Sequence, residues 1–158
     1  MSQTSTEGRE VRDVASVPMG LKVAKYTING GKTRNGDNLF LSDTTVILDG
    51  PPLIAGDLIL NVVTDCEEVF GDADSGDNTT LNIRFNDGST QTDIVAATSI
   101  GGAPYSTVSR VLSIQDFATA GDWLKLTLPT RVEVVVGNDQ NIDDGLMHVY
   151  VFYVSPKG

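Results

Sequence analysis

The sequence predicts an all-β domain, an antiparallel β-sandwich or jelly-roll-like fold of about eight strands with a flexible N-terminal arm. Short β-like runs alternate with Asn-Gly and Asp-Gly dipeptides, which tolerate positive φ and mark tight turns. Within several runs, apolar side chains recur at every second position, which is the period of a half-buried strand. No stretch has the spacing of a convincing amphipathic helix.

The candidate strands follow one another along most of the chain. They are Leu21–Asn29, Thr45–Leu48, Asp57–Thr64, Thr79–Asn86, Asp93–Ile100, Trp123–Leu128, Arg131–Val136 and Met147–Val154. The turn dipeptides between them are Asn29-Gly30, Asn35-Gly36, Asp49-Gly50, Asp87-Gly88 and Asp144-Gly145. One further segment, Ser109–Ala118, has mixed apolar spacing and fits either a helical turn or another strand.

Two of these strands predict different environments. In Thr79–Asn86, the side chains of Leu81, Ile83 and Phe85 share one face and polar side chains share the other, which indicates a half-buried strand. The last strand is apolar on both faces, so it is either central in its sheet or meets another subunit with one face. The residues predicted to bind a partner on this strand are Met147, Val149, Val151 and Tyr153.

Length and composition predict one domain preceded by an arm. The chain has 158 residues, enough for a single core without disulfides, and we assign residues 1–18 to the arm and 19–158 to the β-sandwich. The arm is polar and of mixed charge, and arms of this kind often become ordered on a neighbouring subunit. Its apolar residues Val11, Val14 and Val17 are therefore predicted to bind a partner.

The charge and the lack of leader-like segments limit the classes of partner. A net charge of −10 with scattered basic residues disfavours binding to nucleic acid and to acidic membranes. No run approaches the length of a membrane span, and the N-terminus has no signal-peptide core. The single Cys66 cannot form an internal disulfide. We therefore expect synthesis in a reducing cytoplasm, with no membrane or nucleic-acid partner.

The residues needed for catalysis are scarce, so we expect no enzymatic activity. The only histidine, His148, lies in an apolar strand, which favours a packed or interface role. The carboxylates beside Cys66 should raise the pKa of its thiol, which disfavours a reactive thiolate. One histidine and one cysteine cannot supply a zinc site. No cofactor is predicted.

An acidic loop is the candidate for calcium. Asp72, Asp74 and Asp77 would contribute the oxygens, with Asp72 and Asp74 spaced like the first two ligands of a calcium loop. The pattern then departs from that loop, because Asp77 occupies the glycine position and Ile83 the final glutamate position. A solvated hairpin loop is the simpler interpretation of the same residues.

Several segments together resemble small virion proteins of tailed bacteriophages. The stretch Pro51–Thr64 is similar to their apolar segment, Ala-Gly-Asp turn and Val-Val-Thr strand. Glu68-Val69-Phe70, Thr79–Ile83 and the Val- and Tyr-rich stretch Asp144–Val154 resemble the segments that follow. The resemblance covers about residues 45 to 155 and implies a β-sandwich capsid decoration (cement) protein with no catalytic residues.

This resemblance implies a specific function. The chain would bind the major capsid protein and copies of itself, form a homotrimer on the outer capsid surface of the virion, and bridge neighbouring capsomers. An alternative is a carbohydrate- or receptor-binding module of a tail or baseplate, which requires exposed aromatic side chains such as Trp123 or Tyr105. Core packing is the default interpretation for these aromatic residues.

Overall fold

A computed structural model describes residues 20–31, 39–73, 78–112, 124–138 and 140–156. The predicted arm and Trp123 lie outside these residues. Within the described residues the chain forms nine strands and no helix. The strands are β1 (Leu21–Asn29), β2 (Thr45–Ile47), β3 (Leu58–Asp72), β4 (Thr80–Asn86), β5 (Gln91–Ser99), β6 (Ser109–Leu112), β7 (Leu124–Lys125), β8 (Arg131–Gly137) and β9 (Ile142–Val154).

The strands form two antiparallel sheets, which confirms the predicted all-β sandwich class. The five-stranded sheet has the order β1-β9-β3-β6, with β7 also paired to β3. The four-stranded sheet has the order β2-β8-β4-β5. Antiparallel pairing of strands with one apolar face favours two sheets that cover each other. The described part of the chain contains no helix with the length and apolar character needed to cross a bilayer.

One hydrophobic core lies between the sheets. From the four-stranded sheet it receives Leu81, Ile83 and Phe85, as the alternation of Thr79–Asn86 predicts, and the inward valines of β8. From the five-stranded sheet it receives the inward side chains of β1, β3 and β9. Leu53 and Ile100, outside the strands, close the core and are 1% exposed each.

The last strand, β9, lies between β1 and β3 in its sheet, and a central position was one of the two predicted alternatives. β9 pairs with β1 in an unbroken register from Leu21 opposite Val154 to Asn29 opposite Leu146. On its other side it pairs with β3, and this ladder contains several register shifts. β9 therefore has a hydrogen-bonded neighbour on each side, while its two faces differ: one is buried and the other is half-exposed.

The dipeptide Asp144-Gly145 is not a turn, and that prediction is wrong. Gly145 lies inside β9 with a φ of 119°, next to the register shifts between β3 and β9. A Cβ at this position would stand 2.5 Å from the ring of Phe70, so both the backbone angle and the packing require glycine. The sequence correctly indicates a positive φ at this position, but that φ occurs at an irregularity within a strand and not in a turn.

Most strand boundaries agree with the prediction, and the differences have physical causes. Leu21–Asn29 is reproduced in full, whereas β3 runs to Asp72 because the irregular pairing with β9 continues past Thr64. Ser109–Leu112 is a strand paired with β3, so the strand interpretation holds for this part of Ser109–Ala118. The rest of that segment lies outside the described residues.

Candidate partner-binding surfaces

The face of β9 that was predicted to bind a partner lies in the core. Met147, Val149 and Val151 are fully buried and Tyr153 is 8% exposed. They alternate with the half-exposed residues of the other face, so they point between the two sheets. This placement corrects the assignment from sequence, because buried side chains offer no surface to a partner in this structure. Val11, Val14 and Val17 lie outside the described residues.

The opposite, outward face of β9 contributes to an apolar surface. Phe152 pairs with Val23 on β1 and with Asn61 on β3, while Val154 pairs with Leu21. Leu21 is 63% and Val23 51% exposed, which is high for large apolar side chains. A shallow depression lined by Leu21, Leu60, Asn61, Val63 and Phe152 lies at the centre. We call Leu21, Val23, Leu60, Val63, Phe152 and Val154 the β1–β9–β3 patch.

The same outward face becomes polar further along the strands. His148 Nε2 lies 2.5 Å from Glu67 Oε2, and its Nδ1 lies 3.0 Å from Thr27 Oγ1. Arg110 Nε donates a hydrogen bond to Asp65 at 3.1 Å. His148 thus has the packed, surface-proximal role that its position in an apolar strand indicated. The face consists of an apolar end at the start of β1 and a polar end beside β6.

A second apolar surface lies beside β2. Leu39 and Ile47 are each 57% exposed, and Leu41 is 43% exposed. Leu39 and Ile47 line a depression together with Thr27 of β1 and Val46 of β2, and Leu41 lies two residues after Leu39 in the sequence. We call Leu39, Leu41 and Ile47 the rim patch. It is distinct from the β1–β9–β3 patch, because the two share no residue.

Polar side chains on the outward face of β4 and β8 form hydrogen bonds and ion pairs with one another. Glu133 is fully buried and accepts hydrogen bonds from Arg84 at 2.7 Å, Arg131 at 3.0 Å and Asn86 at 3.0 Å. Burial opposes ionisation of this carboxyl, but the bonds from Arg131, Arg84 and Asn86 outweigh burial and lower its pKa. This network consumes the hydrogen-bonding capacity of Glu133 and stabilises the fold.

Cys66 is a buried core residue with an unreactive thiol. Burial raises its pKa most, the charge of Asp65 raises it further, and a backbone hydrogen bond at Glu68 acts in the opposite direction. The predicted direction is therefore confirmed, although burial contributes more than the neighbouring carboxylates. A thiol of raised pKa in the core is a poor nucleophile.

The acidic loop uses its first carboxylate to close the hairpin between β3 and β4. Asp72 Oδ2 accepts hydrogen bonds from Thr79 Oγ1 at 2.6 Å and from the Thr79 backbone N–H at 3.2 Å. Asp74 and Asp77 lie outside the described residues. Among the residues that are described, no group of three or more His, Cys, Asp or Glu side chains is arranged to hold a metal ion.

Tyr105 and Tyr26 lie in the core and are not exposed to bind a glycan. Tyr105 is 0% exposed, its hydroxyl donates to the carbonyl oxygen of Leu81, and its ring packs edge-on against Phe70. Tyr26 is 2% exposed and donates to the carbonyl oxygen of Pro51. Tyr105 is therefore packed in the core, as the default interpretation expected, and it does not support the alternative function; Trp123, the other candidate, lies outside the described residues.

Sequence reasoning missed the two apolar patches for different reasons. The outward-facing residues of β1 begin with the apolar Leu21 and Val23 and continue with the polar Lys25 and Thr27. The two apolar residues at the start of this alternation were the sequence signal that could have revealed the patch. Leu39 and Leu41 flank buried Phe40 outside any strand, where no period distinguishes inward from outward residues.

Comparison with solved structures finds this fold in three phage capsid structures. A chain of the cyanophage Pam1 capsid asymmetric unit has a TM-score of 0.57 and 20% identity, with 88% of this chain and 87% of that chain covered. A chain of the acidic stable capsid of Helicobacter pylori bacteriophage KHP30 has a TM-score of 0.53 and 14% identity, with 86% and 88% covered. A chain of the Ralstonia phage GP4 capsid has a TM-score of 0.53 and 13% identity, with 86% and 84% covered.

At these identities, the similarity establishes a shared fold over most of both chains. No protein-family profile matches the sequence, and no curated protein is similar to it.

Proposed function

We propose that this chain is a structural protein of a phage virion, specifically a decoration (cement) protein that binds the outer capsid surface and bridges neighbouring capsomers. The observation that carries the proposal is the fold, which is shared over 84–88% of each chain with components of three phage capsid structures. Chains of this fold occur in the capsids of three phages with different hosts, and the proposed capsid role rests on this fold-level analogy.

The exposed apolar surface supports binding to other proteins. Soluble chains rarely expose grouped large apolar side chains without a partner, and the rim patch exposes three of them. We propose that the rim patch contacts the major capsid protein. The half-buried Val46 supports the base of this surface from the hydrophobic core.

A decoration protein that bridges neighbouring capsomers needs more than one surface that contacts the capsid. A homotrimer satisfies this, because each copy presents the same rim patch and the symmetry places three of them around one axis. We therefore propose that the chain assembles as a homotrimer. Sedimentation of the purified protein should give three times the chain mass of 16.8 kDa.

The chemistry of the described residues supports a structural function over an enzymatic one. The only histidine contacts Glu67 and Thr27, and the thiol of Cys66 is buried. Neither is placed to activate a nucleophile. In this proposal, the chain stabilises the shell through the surface area that its contacts bury.

Binding of the purified protein to capsids tests this function directly. Empty capsids of the phage that encodes the chain, prepared without it, should bind the protein in co-sedimentation with a saturable stoichiometry. Leu41→Ser should weaken binding about tenfold or more, since burying a leucine contributes about 1.5–3 kcal/mol.

Leu128 provides a matched control for this variant, because it is also 43% exposed and lies outside the rim patch. Leu128→Ser should bind capsids like the unchanged protein. Failure of the unchanged protein to bind capsids would contradict the decoration function. Equal effects of the two substitutions would contradict the assignment of the rim patch.

A further inference from the structure

Strand β1 forms one edge of the five-stranded sheet. Among the described strands it pairs with β9 alone, and the register runs without a shift over all nine residues. A regular edge strand presents a row of backbone N–H and C=O groups to which another chain can add. β1 is therefore a candidate site for the addition of a strand.

The register shows which backbone groups of β1 point away from β9. One step beyond the Asn29–Leu146 pair, the Gly30 N–H donates to the carbonyl oxygen of Gly145 at 2.8 Å. Hydrogen-bonded and non-hydrogen-bonded pairs alternate in an antiparallel ladder, so the odd-numbered residues of β1 direct their N–H and C=O to the free edge. These residues all have exposed side chains and are Leu21, Val23, Lys25, Thr27 and Asn29.

Gly50 lies beside this edge and supports the same assignment. A Cβ at position 50 would stand 3.1 Å from the backbone oxygen of Lys25, which therefore points away from β9 as the alternation requires. Among the described residues, no backbone donor outside the sheet bonds to the carbonyl oxygens of Leu21, Val23 or Lys25. These oxygens can accept hydrogen bonds from an added strand.

The other sheet edges are short or irregular. β2, β6 and β7 contain three, four and two residues. β5 is as long as β1, but its pairing with β4 has two register shifts. In addition, the side chains of Asn82 and Thr98 donate to its Val95 and Ala96 carbonyl oxygens. Short and bulged edges resist pairing with another chain, so among the described strands β1 is the edge best suited to accept one.

We propose that the capsid partner adds an extended, antiparallel segment to the free edge of β1, with apolar side chains beside Leu21 and Val23 and an acidic side chain beside Lys25. The inference rests on the proposed capsid binding and names the element through which the partner would be held. Backbone pairing supplies hydrogen bonds along the edge, and side chains at alternate positions supply selectivity.

The charge of β1 favours an acidic partner segment over a second copy of β1. The strand carries Lys22 and Lys25 and no acidic residue, although the chain has a net charge of −10. Neither lysine forms an ion pair with a described carboxylate, and Lys25 Nζ lies 5.9 Å from the centre of the Tyr150 ring. Two β1 strands side by side would bring like charges together, whereas an acidic side chain would be attracted to Lys25.

The edge of β1 joins the two apolar surfaces of the domain. Leu21 and Val23 of the β1–β9–β3 patch lie at its start, and Thr27 and Asn29 near its end line the depression of the rim patch. At about 3.3 Å per residue, the distance from Leu21 to Asn29 is about 26 Å. One extended segment of about nine residues can therefore contact both surfaces, which makes the rim patch continuous with the edge of β1.

Residue-resolved hydrogen exchange of the full-length protein tests the inference. In the free protein, the edge-facing amides of Val23, Lys25 and Thr27 should exchange fast, whereas the amide of Ala24, which faces β9, should exchange slowly. On binding to empty capsids prepared without the chain, exchange of the edge-facing amides should slow by about tenfold or more.

Each other outcome of this measurement has a defined meaning. Capsid binding without added protection of the edge-facing amides would overturn the inference and leave the decoration function intact. Absence of any capsid binding would overturn both. Protection of these amides in the free protein would also overturn the inference, because a second copy occupies the edge if the protection grows with concentration and the same chain occupies it if not.

A proline in β1 tests the pairing by substitution. Val23→Pro removes an N–H that points to the free edge, so the ladder with β9 keeps its hydrogen bonds. Capsid binding should weaken about tenfold or more, because a carbonyl oxygen of the added segment loses its donor and meets the proline ring. Val23→Thr keeps the N–H and should weaken binding at most about fourfold, the effect of about one methyl group. Equal losses for the two variants would overturn the inference.

Gln91→Pro is the matched control at the edge of the other sheet. The Asp87 N–H donates to the carbonyl oxygen of Thr90, one step before the Asn86–Gln91 pair, so the Gln91 N–H points away from β4. This variant should bind capsids like the unchanged protein. Circular dichroism verifies that both proline variants are folded, and if Val23→Pro is not, hydrogen exchange of the unchanged protein decides.

Discussion

The outward face of the five-stranded sheet exposes Leu21 and Val23, whereas the outward face of the four-stranded sheet buries Glu133 under Arg84 and Arg131. On the first face, apolar side chains remain accessible with no described element above them. On the second, charged side chains pair with one another. The comparison indicates that the five-stranded face leaves apolar surface accessible, whereas the β4–β8 face is stabilised by its own side chains.

The largest expected effect on stability comes from the outward face of the four-stranded sheet, where charged side chains pair with one another. Glu133→Ala leaves Arg84, Arg131 and Asn86 without their shared acceptor. Breaking a fully buried pair costs about 3–5 kcal/mol, but both arginines are partly exposed, so we expect about 2 kcal/mol lost from the free energy of unfolding. Urea unfolding monitored by circular dichroism measures it. A loss below about 0.5 kcal/mol, the size of ordinary surface changes, would contradict the role assigned to the network.

Acid should weaken the same face. The pKa of Glu133 is lower in the folded chain than its ordinary value of 4.5, because the bonds from Arg131, Arg84 and Asn86 outweigh burial. The resulting stability is complete above that ordinary value and is lost as the pH falls through the lower, folded pKa. The free energy of unfolding should therefore begin to drop as the pH falls below about 4.5 and continue to drop through the folded pKa.

Glu133→Gln has no carboxyl to protonate at this position, so its free energy of unfolding should fall less over that interval. The comparison is made by urea unfolding of both proteins at matched pH values. An equally steep fall in the variant would assign the acid sensitivity to other carboxyls.

The smallest effect on stability is expected on the five-stranded face. Leu21→Ser should change the free energy of unfolding by no more than about 0.5 kcal/mol, because Leu21 is already 63% exposed. Urea unfolding monitored by circular dichroism measures the change. Val108→Ser, at the same exposed fraction but outside the patch, is the matched control and should change the free energy of unfolding by a similarly small amount. A loss of more than about 1 kcal/mol for Leu21→Ser alone would contradict the exposure of this face.

The sequence predicts the burial of a strand well where apolar and polar residues alternate, and poorly where they do not. Leu81, Ile83 and Phe85 alternate with polar residues, so their burial could be predicted. In β9 both faces are apolar, and alternation alone cannot say which one meets the core. That choice is made by neighbouring strands, which place Val149 between the sheets and leave Tyr150 half exposed.

Contacts between distant segments account for the rest of what the sequence did not show. Glu133 and Arg131 share a face by simple alternation, but Arg84 joins them only through the pairing of β4 with β8. Gly145 carries the turn-like signal of an Asp-Gly dipeptide, because a bulge inside a strand and a tight turn both need positive φ. The packing of Phe70 against it is visible only in the folded chain.

Electron cryomicroscopy of phage particles assembled with and without this chain tests the proposed decoration function most directly. The account predicts density for the β-sandwich on the outer capsid surface, at junctions where it touches more than one capsomer, with the rim patch facing the shell. Density for the chain inside the shell, in the tail only, or on a single capsomer without bridging would contradict it.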